Sequence, residues 1–296
     1  MNFLGLRFVP LLLVIACEGC SMQSPSSPQN RPSNPTPTPH PSIIEYGPPN
    51  ALGYAKISSR EGDIYREGIV DPQRRVVVPL LSEMLVEDIS GHMALIQFGR
   101  KFLFVPLEHG PYTRDDIEEV VGFQYAMPYS CGVALVVVDD AWFYINLEGE
   151  QAFSETYEFA ESFHHDRALV KNDQGFKIID PHGSTVAKLP YEQVSPQSPW
   201  CWQVIIREEE KYKSGFIGLD GESLTSIEFD YVGYYDPDVK RILVRIGRHF
   251  GYLDEHAKIA IPLRYEYAEI FDRGKAKVAQ DGRVFFIDPD GNEVPD

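Results

Sequence analysis

An Asp or Asn preceded by an aliphatic residue recurs along most of this chain at a spacing too regular to be accidental. The positions are Asp71, Asn146, Asp180, Asp220, Asp254 and Asp288, with Pro106 filling the same slot once, and the intervals are 35, 40, 34, 40, 34 and 34 residues. The residue before each is Val70, Val105, Ile145, Ile179, Leu219, Leu253 or Ile287, and Phe102, Trp142, Phe176, Phe216 and Phe250 stand four before five of them. A unit of this length holds about four short strands and cannot bury an apolar face alone, so neighbouring units must stack. Asp and Asn suit the position because their side-chain oxygen accepts a backbone N–H two residues on and starts a turn. Gly149, Gly183 and Gly291, three residues after their anchors, supply the positive φ such turns need. These side chains read as turn formers, not as a set of catalytic acids.

A second strand precedes each anchor, with the form Gly-x-Ala-x-Val or its aliphatic variant at Gly53 to Ile57, Gly132 to Val136 and Gly274 to Val278. Ala94, Ala168, Val204 and Ile242 take the alanine position in the related strands. It lies 12 residues before the anchor in five units and 16 before Asp71 and Asp220, which assigns those two units a longer connection. Short β-branched and aromatic runs punctuated by Gly, Asp and Pro indicate an all-β chain. The predicted architecture is about seven four-stranded units forming a seven-bladed β-propeller, with an open β-solenoid as the alternative. In this reading the seventh unit lacks its last strand, and Ile43-Ile44-Glu45-Tyr46 supplies it, closing the ring and removing exposed edges.

The C-terminal unit carries the specific signature. Phe250-Gly251-Tyr252-Leu253-Asp254 is followed by Ile261-Pro262, Tyr265-Glu266-x-Ala268 and Phe271-x-x-Gly274-x-Ala276-x-Val278. This order resembles the WG repeat family of bacterial proteins, as does the region from Trp142 to Ala168. The resemblance implies a repeat fold and brings no shared catalytic residues.

The N-terminal residues suggest a cellular address. Residues 1–16 place Arg7 before an apolar run from Phe8 to Ala16, too short for the about 30 Å of a bilayer core but suited to a secretory signal. Val14-Ile15-Ala16-Cys17 resembles the lipobox of bacterial lipoproteins, which makes Cys17 the expected lipidation site, with palmitate among its acyl groups. Cys20, preceded by Glu18-Gly19, fits the pattern less well. Residues 17–42 are rich in Pro, Ser, Asn and Gln, a composition that favours solvated polyproline segments and serves as a tether. Residues 43–296 form the repeat body. The expected setting is the bacterial cell envelope, on the outer membrane or a periplasmic face, with a lipid anchor holding the chain to the membrane.

Charge narrows the partners. The chain has 44 Asp and Glu against 27 Lys and Arg, a formal net charge of −17, and its basic residues are scattered, so nucleic acid is excluded as a partner. No phosphate-binding Gly-rich loop, Gly-x-Ser-x-Gly or His-Glu-x-x-His motif occurs. His164-His165-Asp166 has metal-ligand residue types, but adjacent strand residues face apart, and the cluster reads as a solvated turn. Asp288-Pro289-Asp290-Gly291 lacks the spacing of a calcium loop and reads as a hairpin. Asp139-Asp140 and Glu208-Glu209-Glu210 read as solvated loop tips. The expectation is therefore no catalytic residue, cofactor or metal.

Cys131 and Cys201 fall in non-adjacent units and are expected to be free, buried thiols. Trp200, Trp202, Tyr212, Tyr234 and Tyr235 form a possible ligand surface for a protein, peptide or glycan. Strand packing is the other reading, since alternation puts Trp200 and Trp202 on one sheet face. The function expected is a binding or scaffold module, with a carboxylate-using envelope hydrolase as the alternative.

Overall fold

The repeated acid makes the turn in a defined way. In the computed structural model, which describes residues 43–295, Asp71 Oδ1 accepts the N–H groups of Gln73 and Arg75 at 2.9 and 2.8 Å. The same pair of bonds to residues two and four further on is made by Asn146, Asp180, Asp254 and Asp288, at 2.8 to 3.1 Å. The side-chain amide and the N–H groups of Asn292 help hold the Asp288 carboxyl below its ordinary range. The chain returns antiparallel as a strand after Asp71, Asp180, Asp254 and Asp288, and as a single bridge between Ile145 and Gln151 after Asn146.

Seven antiparallel sheets result, one after another along the chain. The first comprises Ile43–Tyr46, Ala55–Glu61, Ile64–Val70 and Val76–Leu81; the second, Met84–Ser90, Met93–Phe98 and Lys101–Pro106. The third is Tyr125–Ala126, Ala134–Val138 and Ala141–Ile145, and the fourth Phe159–Ala160, Ala168–Asn172, Gly175–Ile179 and Thr185–Leu189. Gln193–Ser198, Cys201–Glu208 and Lys211–Gly218 make the fifth; Tyr231–Asp236, Arg241–Ile246, His249–Leu253 and Ile259–Tyr265 the sixth. Tyr267–Ala268, Ala276–Gln280, Arg283–Ile287 and Glu293–Val294 complete the seventh. The described residues form a β-rich array of seven small antiparallel sheets.

Pairing explains the alanine position. Ala94 sits opposite Val105, Ala134 opposite Ile145, Ala168 opposite Ile179 and Ala276 opposite Ile287, always the residue before the anchor. Alternation sends successive residues of the strand to opposite faces. Ala94 thus joins a core with Ile69 and Val78 of the first sheet, while Leu95 joins Ala126, Ala134 and Phe143 of the third. Six such cores link the seven sheets in sequence. A seventh cluster, Ala55, Ile57 and Val70, is confined to the first sheet, and none among the described residues joins the first sheet to the seventh.

Glu67 ties the first two sheets together. It is almost fully buried, pairs with Lys56 Nζ at 2.5 Å and accepts the Val86 N–H and the Tyr65 hydroxyl. Its two oxygens are both satisfied, as burial of a carboxylate requires.

Three expectations change. Ile43–Tyr46 pairs with Ala55–Glu61 within the first sheet, and Glu293–Val294 supplies the last strand of the seventh, so the two ends share no strand. Only four sheets have four strands. In the second, Pro106 offers neither a side-chain acceptor nor an N–H, so the turn is not made. A short 3-10 turn, Leu107–His109, and a helix, Arg114–Glu119, follow instead, the helix opened by a Thr113–Asp116 capping box. Leu107 and Ile117 bury themselves in the core of the first and second sheets, covering what a strand otherwise would.

The fifth anchor also moves. Gly218 makes the turn bonds there, its N–H donating to Glu222 O and its own carbonyl accepting from Gly221, while Asp220 bonds only the N–H of Glu222. Ile217 is then the residue before the anchor, and its partner across the strands is Trp202. Trp202, not Val204, therefore occupies the alanine position.

Deleting residues 43–46 is expected to raise amide exchange in Ala55–Glu61, whose outer partner is lost, and to leave Arg283–Ile287 unchanged. Hydrogen exchange read by mass spectrometry checks this.

Candidate functional site

Trp202 replaces a methyl group with an indole at the junction of the fourth and fifth sheets. It is 5% exposed and packs with Leu169, Ile178 and Ile217. Its Nε1–H donates to Glu161 Oε2 at 2.9 Å. Glu161 follows the strand Phe159–Ala160, and its backbone is fixed by its own N–H to Leu169 O and by the Tyr144 hydroxyl, which donates to its carbonyl at 2.6 Å. Tyr252 grips the carbonyl of Glu269 in the same way at 2.6 Å, so this is a repeated device. Glu269, however, is exposed and accepts from Tyr267, whereas Glu161 turns against the indole.

Around this pair lies a cleft of about 500 Å³. The third sheet contributes Tyr125, Met127 and Trp142; the fourth Glu161, Ser162, His164 and Arg167. Pro196, Gln197, Ser198 and Trp202 come from the fifth sheet, and Tyr235 from the sixth. Most of its polar groups are already engaged. Gln197 donates to Gly233 O at 2.6 Å, Ser198 to Glu255 O at 2.6 Å, Arg167 to Asp166 O at 2.7 Å and the Tyr235 hydroxyl to Glu255 Oε2 at 3.2 Å. Two atoms are not: Glu161 Oε1 and Ser162 Oγ are closed off from water and have no partner.

An unpaired buried carboxylate oxygen is costly, and the group responds by holding its proton. Burial pushes the Glu161 carboxyl up to about 7, although the Trp202 N–H opposes the shift. Carboxyls perturbed by burial in a cleft are candidates for functional sites.

The aromatic surface expected from sequence is only partly assembled here. Trp202 and Tyr235 line the cleft. Trp200 lies in the turn before the strand Cys201–Glu208, so alternation does not apply to it. It stacks on His165 with ring centres 3.8 Å apart and has His256 at 5.2 Å. Tyr212 and Tyr234 do not line the cleft, and Tyr234 is 92% exposed. His164-His165-Asp166 is a turn, with His165 and Asp166 at φ 49° and 59°, but His164 stands in the wall of the cleft. No cluster of His, Cys, Asp or Glu among the described residues is arranged to hold a metal ion.

Asp139, Asp140 and Glu208 to Glu210 are exposed at hairpin tips. Cys131 and Cys201 are both free, but only Cys201 is buried; Cys131 is exposed, at φ 52° in the turn before Gly132. Burial raises the Cys201 thiol. Cys17 and the segments 1–16 and 17–42 lie outside the described residues.

Sequence reading missed Glu161, Ser162 and Trp142 as site residues. The available signal was in the fifth unit, where Gly218 rather than Asp220 as anchor would have put a tryptophan in a row otherwise filled by five alanines and Ile242.

The WG containing repeat family matches residues 142–175 and 250–283. The chain contains WG repeats. The first of them holds Trp142, Glu161, Ser162, His164 and Arg167, half the polar and aromatic character of the cleft. Among solved structures, a eukaryotic initiation factor is similar at 11% identity, over 85% of this chain and 76% of that one, with a TM-score of 0.42. AztD from Citrobacter koseri matches at 11% identity over 84% of both chains, with a TM-score of 0.32. The WD40 domain of Neurospora crassa Pan2 matches at 11% identity over 84% of this chain and 91% of that one, at 0.33. No curated protein matches the sequence.

A carboxyl raised above its unfolded value binds protons more tightly in the folded state, so its contribution falls as pH rises. Stability should decline from about pH 4.5, the ordinary glutamate value, and level off above about pH 7, by on the order of 3 kcal/mol at most. Glu161→Gln is expected to abolish this decline, as read from melting temperature against pH.

Proposed function

We propose that this WG-repeat chain is a lipid-anchored binding module of the bacterial cell envelope. The observation that carries the binding role is the cleft itself, an aromatic-walled space of about 500 Å³ that spans four consecutive sheets and holds one buried, incompletely bonded carboxyl. Concave sites with apolar walls and few convergent polar groups are the usual form of ligand sites. The anchor rests on Val14-Ile15-Ala16-Cys17, and the Pro-rich residues that follow are long enough to hold the body away from the bilayer. Acidity favours the same arrangement, since anionic headgroups repel a body of net negative charge. The partner falls in the classes peptide, protein or glycan.

A hydrolase reading draws on Glu161, whose raised value suits a general acid at neutral pH. Glycoside hydrolysis uses a second carboxyl about 5 to 10 Å away. Among the described residues that line the cleft, Glu161 is the one carboxyl. Binding is accordingly the function assigned.

Two measurements test this. Metabolic labelling with an alkynyl palmitate analogue is expected to tag the protein, and Cys17→Ala should lose the tag and release the chain from the membrane fraction; label retained in the variant would remove the anchor from the proposal. Tryptophan fluorescence titration with panels of envelope peptides, oligosaccharides and amines should give at least one saturable response that Trp142→Ala weakens tenfold or more. Turnover of a chromogenic glycoside, abolished by Glu161→Gln, would replace the binding role with the hydrolase one.

A further inference from the structure

The hydrogen-bond inventory of the cleft is lopsided. Gln197, Ser198, Arg167 and Tyr235 all spend N–H or O–H groups on other parts of the protein, and Trp202 spends its N–H on Glu161. A polyhydroxyl ligand needs many free donors and acceptors, and in the buried part of the cleft few remain. The free groups of His164 and Arg167 lie toward the open side; buried in the cleft without a partner are one carboxylate oxygen and one serine hydroxyl, set among the faces of aromatic rings.

Each of these favours the same chemistry. A carboxylate oxygen without a donor is completed by an N–H, most strongly by a charged one. Tryptophan and tyrosine faces carry negative potential and attract cations, by more when water is excluded. The chain's net charge of −17 draws cations toward any cleft on the body. No lysine is among the described residues that line the cleft, and Arg167, whose Nη1 donates to the Asp166 carbonyl, is the guanidinium in its wall.

Resting on the binding-module reading, we propose that the cleft takes an organic ammonium group, whose N–H bonds go to Glu161 Oε1 and whose charge lies among the rings of Trp142, Trp202 and Tyr125. Ser162 Oγ offers a second acceptor beside it. Oε1 is covered in the structure, so the side chains over it must shift to admit the ligand, a cost that burial of the ammonium's alkyl chain offsets. The ammonium group comes either from a free alkyl amine or from the lysine side chain of a peptide.

Proton competition gives this binding a signature. An ammonium needs the ionised carboxyl, so affinity scales with the ionised fraction of Glu161 and rises about tenfold between pH 6 and 8. Other charged or titratable groups face the site: Tyr144 behind the carbonyl, His164 and Arg167 in the following turn, and Tyr235 with Glu255 and Lys240 from the sixth sheet. Of these, His164 lies in the same wall as Glu161, so it needs its own control.

The test uses the full-length protein in detergent micelles, titrated by calorimetry with cadaverine and, separately, with acetyl-Gly-Lys-Gly-amide. The neutral controls are 1,5-pentanediol, acetyl-Gly-Gln-Gly-amide and cellotetraose. At least one amine should bind saturably, the neutral controls at least tenfold more weakly, and Glu161→Gln should bind the amine at least tenfold more weakly with no pH dependence. Gln keeps the acceptor for Trp202 and the side-chain volume, and an unchanged or higher melting temperature shows that the variant folds. His164→Gln should retain the pH dependence. Which amine binds identifies the source of the ammonium group. Equal binding of pentanediol, undiminished binding by Glu161→Gln, or loss of the pH dependence in His164→Gln would overturn the inference. If a neutral peptide or sugar binds in a Trp142-dependent way and neither amine does, the binding module stands and the ammonium assignment falls; if nothing binds, both fall.

Discussion

One side-chain oxygen accepting two backbone N–H groups, from the residues two and four further on, organises this molecule. The interaction is local and costs little ordering, yet it defines where one strand stops and how the next returns. Because the residue before the acceptor is paired with the alanine position, the turn also fixes which residues of the central strand face the preceding sheet and which face the following one. Five such turns, with Gly218 and the segment after Pro106 standing in at the other two units, place apolar side chains on both faces of every interior sheet, and the cores that join the sheets follow from that placement.

The site arises where this device weakens. In the fifth unit Gly218 takes the turn and Asp220 contributes a single bond, so the register of Cys201–Glu208 against Lys211–Gly218 brings Trp202 to a place built for a methyl group. An indole of that size cannot be absorbed without opening space around it, since interiors are close-packed. The space appears across the first strands of neighbouring sheets, and Glu161, exposed in the equivalent position of the seventh sheet, is drawn into it by the indole N–H. A bulky substitution in a repeat has thereby produced both a cleft and a carboxyl of unusual proton affinity.

The array meets its ends differently from its interior. Both terminal sheets complete their own strand sets, and apolar side chains such as Ile44, Tyr46 and Val284 stay about half exposed on them. The helix Arg114–Glu119 shows a second way of covering a core, used where proline removes the turn. Deviations from the repeat thus follow from particular residues, Pro106 and Gly218, and not from a general loosening.

Much of the fold was readable because its determinants are local. Period, anchor side chains, strand alternation and the WG-like order from Phe250 onward are all properties of short stretches, and they led to seven all-β units and to the hairpin roles of Asp139, Asp140, Asp288 and Glu208 to Glu210. The register of the fifth unit was not readable, because Asp220 satisfies the sequence pattern as well as Gly218 and only cross-strand hydrogen bonds choose between them. For the same reason Trp202 and Tyr235 were recognised as surface candidates while Glu161 was not: nothing in its neighbourhood distinguishes it from Glu269. The sequence by itself determined the repeat, most of its turns and the acidity. Tertiary structure alone decided that Glu161 meets Trp202 across a sheet boundary, since burial and proton affinity depend on what the next sheet brings into contact, 41 residues away along the chain.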